Sequence, residues 1–135
     1  NFFDVSGKFT LVDLPGYGYA RIPKSKSNLI GELIFFYLKS RKNLKLAILL
    51  IDSRRGLKES DINFINLLNE YNIDYQLVLT KSDKTTNKNI MIIEKSIQES
   101  TSIFSKMNFD VISTSTTKGY GIDKLRKRIY SHIFD

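Results

Sequence analysis

Three short stretches of the 135-residue chain combine residue types that could do chemistry. In "LVDLPGYGYA" (11–20) an aspartate, Asp13, leaves an aliphatic run, Leu14 and Pro15 follow, and Gly16 stands at +3. Pro15 fixes one φ, while Gly16 and Gly18 permit conformations and close backbone approach that bulkier residues forbid. Such a carboxylate could hold a hydrated cation while the Gly16 N–H meets a terminal phosphate oxygen. The same spacing also describes an ordinary strand-to-helix turn, so D-x-x-G decides little by itself.

The second stretch is "TKSD" (80–83). Asp83 can accept two parallel hydrogen bonds, which suits a base presenting adjacent N–H and NH₂ donors, as guanine does. Adenine presents an acceptor there, and an unpaired carboxylate facing it is costly. Lys81 can lay its methylenes along a purine ring while its ammonium ties neighbouring loops together. The competing reading is a helix start with Ser82 or Asp83 as N-cap. In the third stretch, "STSTTKGYG" (113–121), Ser115 and Thr116 lie in a polar loop closed by Gly119 and Gly121, whose backbone N–H groups could bond a purine carbonyl. Alone it is a glycine-rich turn.

The elements that must position these stretches are legible from periodicity. Residues 1–13 read as an antiparallel hairpin about Ser6-Gly7. Leu29, Leu33, Phe36 and Tyr37 trace a helix face, capped near Ser25 or Ser27. "LKLAILLID" (44–52) is a continuous aliphatic run, as expected for a parallel strand covered on both faces. Ile62, Ile65 and Leu68 predict a helix from about Glu59 to Tyr71, and "YQLVLT" another buried strand. Ile90, Ile93, Ile97 and Phe104 predict a long helix to about Lys106. "FDVIST" reads as the last strand, and Ile122, Leu125, Ile129 and Ile133 as the last helix. The order β-β-α-β-α-β-α-β-α predicts one α/β domain, a mostly parallel sheet with helices on both faces. Ligands of such sheets bind at the carboxyl ends of the strands, where all three stretches fall, so they are expected to meet different parts of one nucleotide.

Composition narrows the alternatives. With 41% hydrophobic and 26% charged residues the chain is too apolar to be disordered. The 21 Lys and Arg against 14 Asp and Glu give +7, which suits a polyanionic partner and equally a solvated basic surface. No cysteine and one histidine rule out disulfides and Cys- or His-clustered metal sites and fit a reducing cytosol. The longest apolar run, Leu46 to Ile51, is far short of the roughly 20 residues of a membrane helix. A soluble, cytoplasmic protein without membrane contact is expected, and "NFFDVSGKF" reads as mid-domain sequence rather than a signal peptide.

The motifs carry a family likeness. "DLPGYGYA" resembles the G3 motif, "TKSD" the G4 motif and "TST" the G5 motif of translation-factor-like GTPases. The extended forms "LVDLPGYGYA", "IDSRRGLKESD" and "STSTTKGYGIDKLR" resemble the EngB/YihA group of ribosome-biogenesis GTPases over essentially the whole chain. The resemblance implies a Ras-like P-loop GTPase domain that binds GTP or GDP with Mg²⁺, a partner in the large ribosomal subunit or its rRNA, a role in normal cell division and septation, and a monomer. Asp13 would reach Mg²⁺ through water and Gly16 the γ-phosphate, with Leu14 and Pro15 completing that motif. Thr80, Lys81, Ser82 and Asp83 would form the guanine-selecting loop, and Thr114, Ser115 and Thr116 would support the base. Tyr17 stands where Ras-like GTPases place a water-orienting glutamine, which predicts slow hydrolysis.

Two family motifs, the phosphate-cradling G-x-x-x-x-G-K-[ST] loop and the G2 threonine that ligands Mg²⁺, match nothing in the sequence. The chain therefore reads as an incomplete domain lacking the first central strand and first helix, marginal alone and weak for nucleotide. That strand would sit between the one ending at Asp13 and the one ending at Asp52, so its absence leaves both without a neighbour or forces them to pair.

Other residues divide between roles. Asp52 could hold the "DSRRG" loop by pairing with an arginine, or Arg54 and Arg55 could touch a ribosome. Lys124, Arg126, Lys127 and Arg128, with Arg41, Lys42 and Lys45, are candidates for rRNA phosphate contacts. Tyr17 and Tyr19 could stack on RNA or pack on the following helix. His132 reads as a surface residue. A nucleotide-free, basic RNA-binding module is the alternative to a GTP switch. A receiver-like domain built on Asp13, Asp52 and Lys81 is a third reading, which has no use for "DLPGYGYA".

Overall fold

The structure, a computed structural model, describes residues 1–14, 24–101 and 110–134, the side chains of 24–30, 100 and 101 excepted. Two compact units divide the chain, Asn1–Lys42 and Asn43–Asp135.

The first unit contains a hairpin and a helix. Strands β1 (Phe2–Val5) and β2 (Phe9–Val12) pair antiparallel, with Phe2 opposite Val12 and Val5 opposite Phe9. The turn is the expected one. Ser6 and Gly7 both have positive φ, 54° and 67°, the mirror-image geometry that matches strand twist. The Lys8 N–H closes it on the Val5 carbonyl at 2.9 Å, and the Asp4 carboxylate accepts the Gly7 N–H at 3.1 Å. Helix α1 (Lys24–Ser40) ends where the Ser40 hydroxyl turns back onto the Phe36 carbonyl at 2.6 Å. Its buried stripe differs from the expected one. Ile34 and Leu38 are buried, whereas Leu33 and Phe36 are 57% and 69% exposed. The run "LIFFYL" offers several overlapping i, i+4 stripes, and a helix can bury only one of them.

In the second unit β3 (Ala47–Asp52), β4 (Tyr75–Thr80) and β5 (Ile112–Ser113) form a parallel sheet in that order, with Asp52 level with Thr80 and Leu79 with Ser113. The fold class is α/β, as the alternation predicts. β4 is the centre. Tyr75, Gln76, Leu77, Val78 and Leu79 are all buried, so both its faces are covered. The hairpin and this sheet are separate sheets, so β2 pairs only with β1 and β3 only with β4 among the described strands. β3 is accordingly an edge strand, and its Leu50 is 62% exposed, against the expectation of cover on both faces. Of "FDVIST", Phe109 lies outside the described residues, and among the others only Ile112 and Ser113 pair with β4, so β5 is shorter than the apolar run suggests.

Helix α2 (Glu59–Glu70) buries Ile65 and Leu68 as its periodicity demands. The Asp61 carboxylate accepts the Lys58 N–H at 2.9 Å, and Glu59 and Asp61 complement the positive end of the helix dipole. The helix stops at a left-handed Asn72, φ 55°. The Ile73 N–H reaches the Leu68 carbonyl and the Asn72 N–H that of Asn69, a Schellman ending. Helix α3 (Asn87–Thr101) buries Ile90, Ile93 and Ile97, while Phe104 and the expected end near Lys106 lie outside the described residues. Helix α4 (Ile122–Phe134) only half-buries Ile122, Leu125, Ile129 and Ile133.

Buried Gln76 staples the unit: its amide donates to Leu77 O at 2.8 Å and Asp110 O at 2.7 Å, and accepts from Arg128 of α4 at 3.2 Å. That contact engages Arg128 inward, away from the RNA-facing role considered for it. His132 is no loose surface residue either. Its side chain is largely covered, with Nε2 3.1 Å from Asp74 and 3.0 Å from the Lys45 carbonyl.

Candidate functional site

The loops that leave β3, β4 and β5 meet at one rim of the second unit. β4 ends at Thr80, and Lys81 follows in the left-handed region at φ 55°. This kink turns the chain into a single 3-10 turn, Ser82–Lys84, closed by the Lys84 N–H on the Lys81 carbonyl at 2.9 Å. The expected competition between loop and helix start is thereby resolved. Thr86, not Ser82 or Asp83, caps α3, its hydroxyl accepting the Asn89 N–H at 3.1 Å. Asp83 is left to face the loop after β5.

That loop is built around Ser115, which is fully buried. Its hydroxyl donates to Asp83 Oδ1 at 2.8 Å and accepts the Lys118 N–H at 3.0 Å. Its N–H bonds the Tyr120 carbonyl and its carbonyl accepts the Gly119 N–H at 2.8 Å. Thr117 donates to Asp83 Oδ2 at 3.0 Å. The two hydroxyls lie 3.2 Å apart, but each has one proton and Asp83 receives both. Sequence reasoning missed Thr117. A run of five hydroxyl residues from 113 to 117 does not say which of them turns toward the acid.

The loop closes at Gly121, φ 78°, where a Cβ would collide with the Ser113 carbonyl oxygen. This position requires glycine. Gly119 is also left-handed, at φ 79°, but with open space around it. Its N–H serves Ser115, whereas the Gly121 N–H makes no hydrogen bond among the described residues. Among the described residues the Thr116 N–H has no hydrogen-bond partner, and Thr116 is exposed.

Electrostatics follow from these bonds. The Ser115 hydroxyl first, and Thr117 after it, hold the Asp83 carboxyl below the ordinary carboxylate range against the opposing effect of desolvation. Lys84 Nζ stands 3.9 Å away. Asp83 therefore stays ionised and, with two acceptor lone pairs remaining on its oxygens, can take two further N–H bonds.

Three of the remaining expected residues turn polar groups back onto the strands and the loop between them. Thr114 is buried with its hydroxyl on the Leu79 carbonyl at 3.0 Å, and Ser82 is buried with its N–H on the Thr114 carbonyl at 3.0 Å. The Thr80 hydroxyl turns to Ile51 O at 3.4 Å. Asp13 and Leu14 stand just past β2 in the first unit, Asp13 exposed and Leu14 half-buried, with the Asp13 N–H on the Asn1 carbonyl at 2.9 Å. Pro15, Gly16, Tyr17, Gly18 and Tyr19 lie outside the described residues. Asp52 does pair with an arginine, as the loop-holding alternative requires, through two bonds from Arg54 at 3.1 and 2.8 Å. Among the described residues no three acidic, His or Cys side chains gather into a metal site, and no helix is long and apolar enough to cross a membrane.

A carboxylate clamped by hydroxyls after β4, with a free backbone donor after β5, lies at the carboxyl ends of the strands, where parallel α/β sheets bind their ligands. The class agrees: residues 37–135 match the elongation factor Tu GTP binding domain family. Solved structures share the fold. A structure of a "probable GTP-binding protein engB" superposes with TM-score 0.76 at 25% identity, over 92% of this chain and 77% of that one. Era in complex with MgGDPNP and 16S ribosomal RNA nucleotides superposes with TM-score 0.71 at 21% identity, over 93% of this chain and 40% of that one, and shows the fold alone.

The chain belongs to the EngB family. It is 38% identical over 132 residues to the "Probable GTP-binding protein EngB" of Mycoplasmopsis synoviae, covering 98% of this chain and 69% of that protein. It is 40% identical over 129 residues to the namesake from Bartonella tribocorum, over 93% of this chain. It spans 58% of the Bartonella protein's length and 56% of the Caulobacter vibrioides one's.

Proposed function

We propose that the protein binds guanine nucleotides and acts as a GTP/GDP switch in assembly of the large ribosomal subunit, with a link to cell division and septation. The observation that carries the base assignment is the Asp83 carboxylate, oriented by Ser115 and Thr117 with the Thr116 N–H open beside them. Guanine complements this set: its N1–H and N2–H₂ pair with the carboxylate and its O6 accepts from Thr116. Adenine would set an acceptor against the carboxylate and a donor against the N–H, leaving both unpaired. Lys81 covers the ring with its methylenes. By sequence, Asp13, Leu14, Pro15 and Gly16 serve the phosphate end.

Mg²⁺ fits this donor set only as a nucleotide-borne ion. A single exposed carboxylate, Asp13, with no acidic cluster among the described residues, suits a cation that keeps its waters and phosphate oxygens and is held through water. Bound there, the ion would neutralise phosphate charge. Tyr17 cannot align a water as glutamine does, so intrinsic hydrolysis is slow and partner-dependent. A monomeric cytoplasmic protein fits the reading.

Exposed Lys118, Lys124 and Lys127 and the +7 charge favour a second reading, a nucleotide-free RNA-binding module. Calorimetry with GDP, GTP and ATP separates the two. The switch gives heat with both guanine nucleotides and none with ATP, and the RNA module gives none with any.

A further inference from the structure

The residues that leave β3 reach across to the Lys81 loop, and they do so in a way that a simple strand end does not require. Asp52 ends β3 half-buried, and its backbone carbonyl accepts both the Arg55 and Gly56 N–H groups at 3.0 Å. Its side chain accepts the Arg54 N–H at 2.9 Å and the Arg54 guanidinium at 3.1 and 2.8 Å. The carboxylate plane is therefore fixed by three bonds from one neighbour. Its Oδ2 also lies 3.7 Å from Lys81 Nζ.

Ser53, fully buried, completes the link. Its N–H donates to the Thr80 carbonyl at 3.0 Å and its hydroxyl to the Lys81 carbonyl at 2.9 Å. Lys81 is one of three non-glycine residues with positive φ among the described residues, and the other two, Ser6 and Asn72, sit in the β1–β2 turn and at the end of α2. A side-chain-bearing residue stays left-handed only where its surroundings hold it there. Here the holding groups are the Lys84 N–H and the Ser53 hydroxyl, both on the Lys81 carbonyl.

We propose that Asp52 and Ser53 are positioning residues for Lys81. Ser53 keeps its backbone left-handed, and Asp52 restrains its ammonium so that the methylene stem lies ready to cover a purine ring. Neither residue touches the base. The ligand class rests on the guanine-nucleotide reading above, but the restraint belongs to the nucleotide-free protein. Base choice stays with Asp83, so loss of either restraint weakens binding of GDP and of xanthosine diphosphate alike.

Two measurements decide this. In the nucleotide-free protein, NMR of Ser53→Ala reads the Lys81 φ from its scalar coupling and the exchange rates of the Lys84 and Ser82 amides. Loss of one hydrogen bond predicts exchange about fivefold faster at both amides, with protection elsewhere in β4 retained. Unchanged exchange and coupling overturn the role of Ser53. Asp52→Asn, at a temperature where circular dichroism shows it folded, is then titrated with GDP and xanthosine diphosphate, alone and with Lys81→Met. GDP affinity falls about fivefold, the ratio between the two nucleotides is preserved, and Lys81→Met removes the effect. An Asp52→Asn loss that persists in the Lys81→Met background, no loss at all, or a changed nucleotide ratio overturns the role of Asp52. Absence of GDP binding by the wild type, with the Ser53→Ala response intact, counts against the guanine reading and leaves the restraint standing.

Discussion

Gly121 offers a test of the loop that holds Ser115. Its φ of 78° is left-handed and a Cβ there meets the Ser113 carbonyl oxygen, a backbone atom that cannot swing aside. Gly119, φ 79°, shares the conformation but has open space around it. Alanine at either position carries the left-handed penalty of about 1–2 kcal/mol. At Gly121 the displaced backbone adds about 1–3 kcal/mol, by analogy with overpacked cores. Alanine also restricts the unfolded chain, which offsets about 0.4–1 kcal/mol at both sites, so the difference between the two variants is the informative quantity. At roughly 4 °C per kcal/mol for a chain of this size, Gly121→Ala lowers Tm by about 4–12 °C more than Gly119→Ala does. Thermal unfolding by circular dichroism measures both. Because Ser113 is the residue displaced, the Ser115–Asp83 contact loosens with it, and GDP affinity falls further in Gly121→Ala than in Gly119→Ala. Equal Tm shifts would refute the collision, and with it the claim that Gly121 sets the shape of the loop that holds Ser115.

Three other expectations concern charge. Arg54's hydrogen bonds hold Asp52 well below its ordinary value of 3.8 in the folded state, so its contribution is complete above that value and is lost as pH falls below it. Wild type should lose more Tm between pH 5 and pH 3 than Asp52→Asn, and the difference should shrink in high salt because the pair is solvent-accessible. Thr117→Val removes one of the two hydroxyls on Asp83; in an NMR titration the Asp83 pKa should rise toward the ordinary range, but less than in Ser115→Ala, since Ser115 is the larger cause. If RNA is bound through α4, Lys124→Ala and Lys127→Ala should each reduce the salt slope of binding by about one without changing sequence preference.

Much of the fold was legible because the signals were local and periodic. Ser6-Gly7 specified its turn, and Ile65, Leu68, Ile90, Ile93 and Ile97 specified their helix faces, because each depends on neighbours within one or two turns of chain. What stayed hidden depends on tertiary surroundings. "LIFFYL" does not reveal that Ile34 and Leu38 turn inward, and "LKLAILLID" reads as fully covered whether or not a neighbouring strand lies beside it. Of the candidate site, Asp83 and Ser115 were expected on one rim and the structure joins them by a hydrogen bond, since strand-end loops of one parallel sheet share a rim. Thr117 and Ser53 were not, because a hydroxyl's direction is set by backbone turns that the residue type does not encode. Asp52's pairing was one of two open alternatives and the structure selects it.

The most direct test of the guanine assignment is the nucleotide selectivity of Asp83→Asn. An asparagine replaces one acceptor oxygen by an amide donor, which opposes guanine's N2–H₂ and complements the C2 carbonyl of xanthine. GDP affinity should fall and xanthosine diphosphate affinity should rise above it. Unchanged preference for GDP would remove Asp83 from the base site and contradict the functional reading built on it.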